Sequence, residues 1–319
     1  MERLSDILGK RPAETEVAVI GDALIDYQYW VDEMPPVGGD TLIHESNRSA
    51  GGSAANTAVA LGALGVSTAF IGRIGSDENG DWIKSQLTSG GVDISCVQYG
   101  ASSGYVVTII NATGERTMFS YRGASAIPMF ATPILSRTMR RVKIMLLSGY
   151  CLLNAEQAEF ALTAIGELKA AGGLFALDPS PLIGQVDTVL CEKILSSVDI
   201  LMPNRNELMT LAQTDDFQQA LETIQNKVPL IALKLGSEGA AVLIRKGTAS
   251  PSGAVFAEDL YEKMPAEPVQ IVDTTGAGDA FNAGFISGFL ESPDPKVWLR
   301  KGNQTAAAVV SRKGARLKS

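Results

Sequence analysis

From residue 142 onward the chain repeats one pattern: a short apolar run, a turn, then a stretch with one apolar helical face. The runs fall at 144–147, 174–177, 200–202, 230–233, 240–244 and 269–272. Between the first two, Ala158, Ala161, Leu162, Ile165 and Leu168 share one side of a helix. Continuous apolar runs are what strands buried on both faces require. Strands alternating with helices close into a mainly parallel sheet with helices on both faces. The N-terminal part starts the same way, with a strand over 17–20 that stops at Gly21-Asp22 and later a small-residue helix opening at Gly51-Gly52-Ser53-Ala54-Ala55-Asn56. A strand over 67–74 and a helix over 77–89 follow. Two segments break the rhythm. Residues 27–49 hold Pro35-Pro36 and Gly38-Gly39 and show no helical period. Residues 97–122 read as a hairpin, strands 105–110 and 115–121 around Asn111-Ala112-Thr113-Gly114. Neither has a core of its own, so the two are expected to pair as one small sheet. The expected organisation is an α/β domain from 1–27, 50–96 and 123–319, with a β lid from 28–49 and 97–122.

Ligands in sheets of this kind collect at the carboxyl ends of the strands. The most informative end is Asp273-Thr274-Thr275-Gly276-Ala277-Gly278-Asp279-Ala280-Phe281-Asn282-Ala283-Gly284. Phe281, Phe285 and Phe289 recur every fourth residue and mark a buried helix, so Gly276 and Gly278 lie in the turn that starts it. The first N–H groups of a helix have no partner within it, and the aligned peptide dipoles add positive charge, which together make an anion site. An acid in the first turn, Asp279, is odd beside an anion unless it takes a proton from an attacking hydroxyl. Phosphoryl transfer asks a protein for little beyond positioning and charge neutralisation. Taken alone, the same residues would serve as a helix cap with a dipole partner.

Composition removes several other classes. A net charge of −8, with no basic run, argues against a nucleic-acid partner. No apolar stretch approaches a membrane-spanning length, and the first residues have no apolar core, so a cytoplasmic protein is expected. Cys96, Cys151 and Cys191 stand far apart in no metal-ligand spacing. His44 is the only histidine, which excludes histidine metal clusters; no Gly-x-Ser-x-Gly elbow accompanies it, which leaves no Ser-His-Asp hydrolase. A P-loop is absent, since Gly75-Ser76-Asp77-Glu78-Asn79-Gly80 runs into Asp81.

The stretch from Asp273 to Gly284 resembles the C-terminal signature of the ribokinase (PfkB) family of carbohydrate kinases. That resemblance implies a ribokinase-like fold, an anion hole built from the amides of Gly276, Ala277 and Gly278, and Asp279 as catalytic base. The stretch from Gly51 to Asn56, with Gly72, Gly75, Asp77 and Gly80, resembles the family's N-terminal signature, which implies that Gly51, Gly52 and Asn56 bind the sugar. Asp26 stands where the family places a carboxylate that accepts two sugar hydroxyl protons. Asn204-Arg205-Asn206-Glu207 resembles the family's Asn-x-x-Glu motif, implying nucleotide contact at Asn204 and, at Glu207, a carboxylate that orients water around nucleotide-bound Mg²⁺. Lys234, Gly236 and Gly239 match a turn beside the nucleotide, and Asn303 a helix against which adenine packs. Some members hold a monovalent cation beside the anion hole; by resemblance Asp273, Thr275 and the Lys313-Gly314 loop would hold K⁺. The likeness runs from Gly21 to Ala315.

Two departures weaken ribose as substrate. Leu24 replaces the Asn that ribose kinases carry two residues before the pocket acid, and Ser53 replaces the Lys of their Gly-Gly-Lys. The reading is an ATP- and Mg²⁺-dependent kinase that phosphorylates a sugar hydroxyl. A nucleoside kinase of the same family would need a base-stacking pocket, for which Tyr27, Tyr29 and Trp30 are candidates. A catalytically silent protein that responds to sugar or nucleotide is the reading from a different class. Arg122 ends the lid hairpin, either as a solvated charge or as a fork for an acidic group; as the one cation that can be placed, it leaves a neutral sugar favoured. An exposed lid edge would let two copies pair as a homodimer.

Overall fold

The structure, a computed structural model, describes residues 15–249, 255–312 and 314–316; residues 1–14 and Lys313 lie outside them. Its strands are β1 (Val17–Ile20), β2 (Leu24–Trp30), β3 (Glu45–Gly51), β4 (Thr68–Ile71), β5 (Arg73–Ile74), β6 (Gln98–Tyr99), β7 (Tyr105–Ile110), β8 (Arg116–Tyr121), β9 (Ile144–Ser148), β10 (Leu174–Asp178), β11 (Ile200–Leu201), β12 (Leu230–Lys234), β13 (Ala240–Ile244) and β14 (Leu260–Met264). Its helices are α1 (Ser53–Ala63), α2 (Glu78–Ser89), α3 (Pro133–Met139), α4 (Ala155–Ala170), α5 (Thr188–Leu195), α6 (Arg205–Ala212), α7 (Phe217–Gln225), α8 (Ala277–Glu291) and α9 (Pro295–Val310).

The main sheet runs β14-β13-β12-β11-β10-β9-β1-β4. From β4 to β12 the pairing is parallel, and β13 and β14 extend it antiparallel. Side chains alternate across it. Ala18 and Ile20 enter the core beneath α4, while Val17 and Val19 enter the core shared with α1, α8 and α9. In that second core the rings of Phe285 and Phe289 lie 5.8 and 4.8 Å from Trp298, whose indole N–H donates to Ser292 O at 2.6 Å. Each such ring removes enough apolar surface from water to contribute roughly 1.5–3 kcal/mol. This packing fixes where α8 begins, and so where the Gly276 turn sits.

The two excursions do pair. Their sheet has the order β3-β2-β7-β8, with β2 and β7 parallel and the outer pairs antiparallel. It starts at Leu24 and takes in Gly51, beyond the expected lid limits, so Asp26 lies on a lid strand. Register places Asp26, Gln28, Asn47, Ser49, Thr108, Arg116 and Ser120 on one face. Tyr27, Tyr29, Tyr105 and Tyr121 alternate onto the other.

One expected strand does not form. Residues 269–272 pair with no strand; Val272 N–H and Asp273 N–H both donate to Val310 O at the end of α9, at 2.8 and 3.2 Å. The sheet edge is already taken by β14, which the sequence reading did not anticipate. Val269, Ile271 and Val272 are therefore left exposed.

Candidate active site

α8 starts after Gly276, whose φ of 76° is left-handed. A Cβ there would also stand 2.5 Å from Ala315 O, so only glycine lets the turn close. Of the three amides expected in the anion hole, Ala277 N–H reaches back to Thr274 O at 3.2 Å, a long bond that a phosphoryl oxygen would readily replace. Lys234, at the end of β12, lies beside this turn: a Cβ built on Gly278 would be 3.7 Å from its Nζ. Lys234 Nζ bonds Asp178 Oδ1 at 2.8 Å, at the end of β10. Burial lowers the Lys234 pKa, but the charges of Asp178 and Glu207 outweigh it and leave the ammonium more basic than usual.

Asp279 ties α8 to α1. Its Oδ1 accepts from Ser53 Oγ (2.8 Å), its Oδ2 from Asn56 Nδ2 (3.0 Å), and its backbone O from Thr57 Oγ1 (3.3 Å). The residue is half-buried. Burial pushes its pKa up to about 6, against the opposing hydrogen bond from Asn56 and with the charge of Asp178 adding to the rise. The Oδ1 of Asn56 accepts from Arg316 Nε at 3.1 Å. Arg316 Nη1 and Nη2 are shut off from solvent and have no partner among the described residues. Burial lowers the Arg316 pKa to about 10, while Asp26 and Asp279 pull it back up. Asp26 is likewise pushed up to about 6 by burial, with Arg316 opposing and Asp279 adding. Asp26, Asn56, Asp279 and Arg316 thus form one cluster of donors and acceptors; Arg316 was not among the residues expected there, and Arg122, which was, pairs elsewhere.

Gly51 is part of the same cluster because a Cβ on it would overlap the Asp26 carboxyl. Gly51→Ala should therefore turn Asp26 away. The expected result is a KM for the acceptor raised about tenfold or more, as for a lost charge-assisted hydrogen bond, with the KM for ATP unchanged. Equal shifts in both constants would show that Gly51 serves the fold alone.

Other expected site residues have local work. Asn204 and Glu207 form a capping box at α6: Glu207 N–H donates to Asn204 Oδ1 (2.9 Å) and Asn204 N–H to Glu207 Oε2 (2.8 Å). Burial raises the Glu207 pKa despite the nearby Lys234. Gly236 and Gly239 shape the turn from β12 to β13, closed by Leu235 N–H to Gly239 O at 2.9 Å. Gly52 is the N-cap of α1. Asn303 gives its amide to Met264 O and Pro265 O (3.3 and 2.9 Å), holding the end of β14 to α9. Arg122 is no solvated strand end. It pairs with the buried Asp22 and lies 4.8 Å from the Tyr150 ring centre, so its fork is already engaged. Asp22 is pushed up to about 6 by burial even with Arg122 opposing.

Asp273 Oδ1 accepts from Thr275 N–H (2.9 Å), Thr275 Oγ1 (2.7 Å) and Arg116 Nη2 (3.0 Å), and its Oδ2 from Gly314 N–H (3.1 Å). Burial alone would raise this carboxyl, but those bonds prevail and hold it at about 2. Sequence reasoning missed Ser53 as an Asp279 partner, and also Asp22, Tyr150, Arg116 and Arg316. Asp22 and Asp178 carried a signal as strand-end acids; the two arginines carried none.

The family described as pfkB family carbohydrate kinase matches residues 14–319. The chain is 30% identical over 288 residues to the ATP-dependent ribose-1-phosphate kinase of Halopiger xanaduensis, covering 90% of this chain and 88% of that protein. It is 29% identical over 312 residues to the ribokinase of Arabidopsis thaliana, 94% of this chain and 77% of that protein. The solved Arabidopsis thaliana ribokinase complexed with ribose and ATP superposes with a TM-score of 0.79 at 27% identity, over 94% of both chains. The adenosine kinase of Sinorhizobium meliloti shares the fold, with a TM-score of 0.76 at 23% identity over 96% of both chains. With a family match that spans the described residues, and an Asp set in the first helical turn after Gly276, the chain belongs to the PfkB family of carbohydrate kinases.

Proposed function

We propose that the protein transfers the γ-phosphoryl group of ATP to a hydroxyl of a sugar, with Asp279 as general base and the amides of residues 276–278 as anion hole. One observation carries this reading. Asp279 is bonded to Ser53 and Asn56 and stands in the first turn of a helix whose N-terminus lies beside Lys234, a place where the phosphates of ATP would meet positive charge. Asp26 and Asn56 would hold the acceptor, and its hydroxyl proton would pass to Asp279 as the oxygen bonds to phosphorus. The bond from phosphorus to the bridging oxygen breaks, and ADP leaves with that electron pair. Lys234 and the helix N-terminus meet the negative charge on the transferring group.

Among the described residues no group of three or more acidic, His or Cys side chains would hold a metal directly. That fits Mg²⁺, which keeps several waters and travels with the substrate phosphates, with Glu207 reaching it through water. When bound, it offsets charge between the phosphates. The exposed Val269, Ile271 and Val272, next to Asp273, offer apolar surface for an adenine ring.

A sugar is supported by the amides and hydroxyls on the lid face bearing Asp26, namely Gln28, Asn47, Ser49, Thr108 and Ser120. Of the three aromatic candidates for stacking a nucleoside base, Tyr27 and Tyr29 point to the opposite face, with the Tyr27 and Tyr105 rings 6.2 Å apart, while Trp30 shares the face of Asp26. A second reading, of a sugar bearing a phosphate or carboxylate, is supported by the unpartnered Nη atoms of Arg316. The Halopiger relative, by its name, acts on ribose 1-phosphate. The edge strand β8, exposed along its length, supports a homodimer joined at the lid. ADP release measured over ribose, ribose 1-phosphate, fructose, acidic sugars and nucleosides, with Mg²⁺ and with chelator, tests the proposal. It fails if no sugar drives ATP turnover.

The pH profile follows from the site. Because kcat/KM reports the free enzyme, activity toward the acceptor should fall as pH drops below about 6, where Asp279 takes up its proton. Asp26 titrates in the same range, so the acid limb should be steeper than one proton. Asp26→Asn should return it to a single-proton slope. A flat profile from pH ~7 down to ~5 would remove Asp279 as the base.

A further inference from the structure

Arg116 is the first residue of β8 and shares the lid face with Asp26. Its guanidinium crosses to the main domain, where Nη2 donates to Asp273 Oδ1 and Nη1 to Thr275 Oγ1, each at 3.0 Å. Asp273 is 7% exposed, and the loop it anchors leads directly into the Gly276 turn. An exposed ion pair would contribute little, but here one partner is buried and shared with the loop's own donors.

The same residues were expected to hold K⁺. A cation needs oxygen lone pairs converging on one point. Asp273 instead receives two N–H groups and a hydroxyl from its own loops, and a guanidinium from the lid. The Asp273 carboxylate, so surrounded by donors, does not fit a monovalent cation; Lys313, also expected at the site, lies outside the described residues.

We infer that Arg116 replaces that cation: a fixed positive charge, carried by the lid, braces the Asp273–Thr275 loop from which the anion hole grows. The inference rests on the kinase reading above and makes Arg116 a positioning residue, since it touches neither substrate. Its consequence is coupling. The acceptor engages Asp26 on β2, and the sheet that carries β2 also carries Arg116. An acceptor that draws the lid down therefore also seats the charge that steadies the anion hole, so ATP is less exposed to attack by water while the sugar is absent.

The test compares the wild-type chain with Arg116→Ala, Arg116→Gln and Arg116→Lys in KCl and in tetramethylammonium chloride at equal ionic strength. Wild-type kcat should be the same in the two salts. Arg116→Ala and Arg116→Gln should lose ~10- to ~100-fold in kcat in tetramethylammonium, the scale of a misplaced catalytic group, with both KM values little changed. Added guanidinium should restore several-fold of the loss while K⁺ restores none, and Arg116→Lys should fall between. Hydrogen exchange of the 273–279 amides gives a second readout: protection with sugar present in the wild type, lost in Arg116→Ala. The inference is overturned by a wild type activated several-fold by K⁺. Substituted chains with wild-type kcat and protection, or a fall in kcat that added guanidinium does not restore, overturn it equally. If no sugar drove ATP turnover in the wild type, the kinase reading would fail instead, and exchange in the sugar-free chains would still decide whether Arg116 braces the loop.

Discussion

Asp279→Asn is expected to lower kcat by about 10²- to 10⁴-fold, the range for removing a general base, with little change in the KM for ATP. The substitution keeps the side chain's shape. Its carbonyl can accept from Asn56 Nδ2 while its new N–H₂ donates to Ser53 Oγ, a hydroxyl that can accept as well as donate. Asn56 then keeps its Oδ1 for Arg316 Nε, and the acceptor KM should change little. Thermal stability should not drop, since a buried carboxyl held at about 6 is already a costly group at neutral pH. The acid limb of the pH profile should lose one proton. If the variant kept more than a tenth of wild-type kcat with the true acceptor, Asp279 would not be the base.

Lys234→Met should show the second-largest effect. Removing a charge that meets the transferring phosphoryl group is expected to cost about 10²- to 10³-fold in kcat. It also leaves Asp178 unpaired where both side chains are largely buried, at 13% and 10% exposure, which destabilises by about 3–5 kcal/mol. The two effects separate in the double variant Lys234→Met/Asp178→Asn, which no longer holds a lone buried charge. It should regain most of the lost melting temperature and none of the lost kcat. Recovery of activity together with stability would show that Lys234 serves the fold rather than the chemistry.

These residues were legible to different degrees, for physical reasons. The Gly276 turn could be read because helix periodicity and glycine placement are local, and the three phenylalanines announce the helix they open. The strand expected over 269–272 failed on the same local evidence. Its composition is that of a strand, but a strand exists only where its N–H groups meet a neighbour's carbonyls, and β14 already held the edge. Glu207 shows how one spacing serves two readings: Asn-x-x-Glu is a capping box by spacing alone, and the structure uses it as one, while the metal role is part of the proposal. Arg116 and Arg316 were out of reach. Their partners lie 157 and 260 residues away in sequence, and nothing in the pattern around either marks the meeting.

The register of the small sheet carries one more consequence. Asp26 and its polar neighbours belong to four short strands, while Asp279, Lys234 and the Gly276 turn belong to strand ends and a helix of the large sheet. On the proposed reading the acceptor is held from both pieces, by Asp26 on the small sheet and Asn56 on α1, whereas the residues of the transfer itself all lie on the large one. Substitutions on the polar face of the small sheet, at Gln28, Asn47, Ser49, Thr108 and Ser120, would then alter the acceptor and leave the stretch from Asp273 to Gly284 as it is.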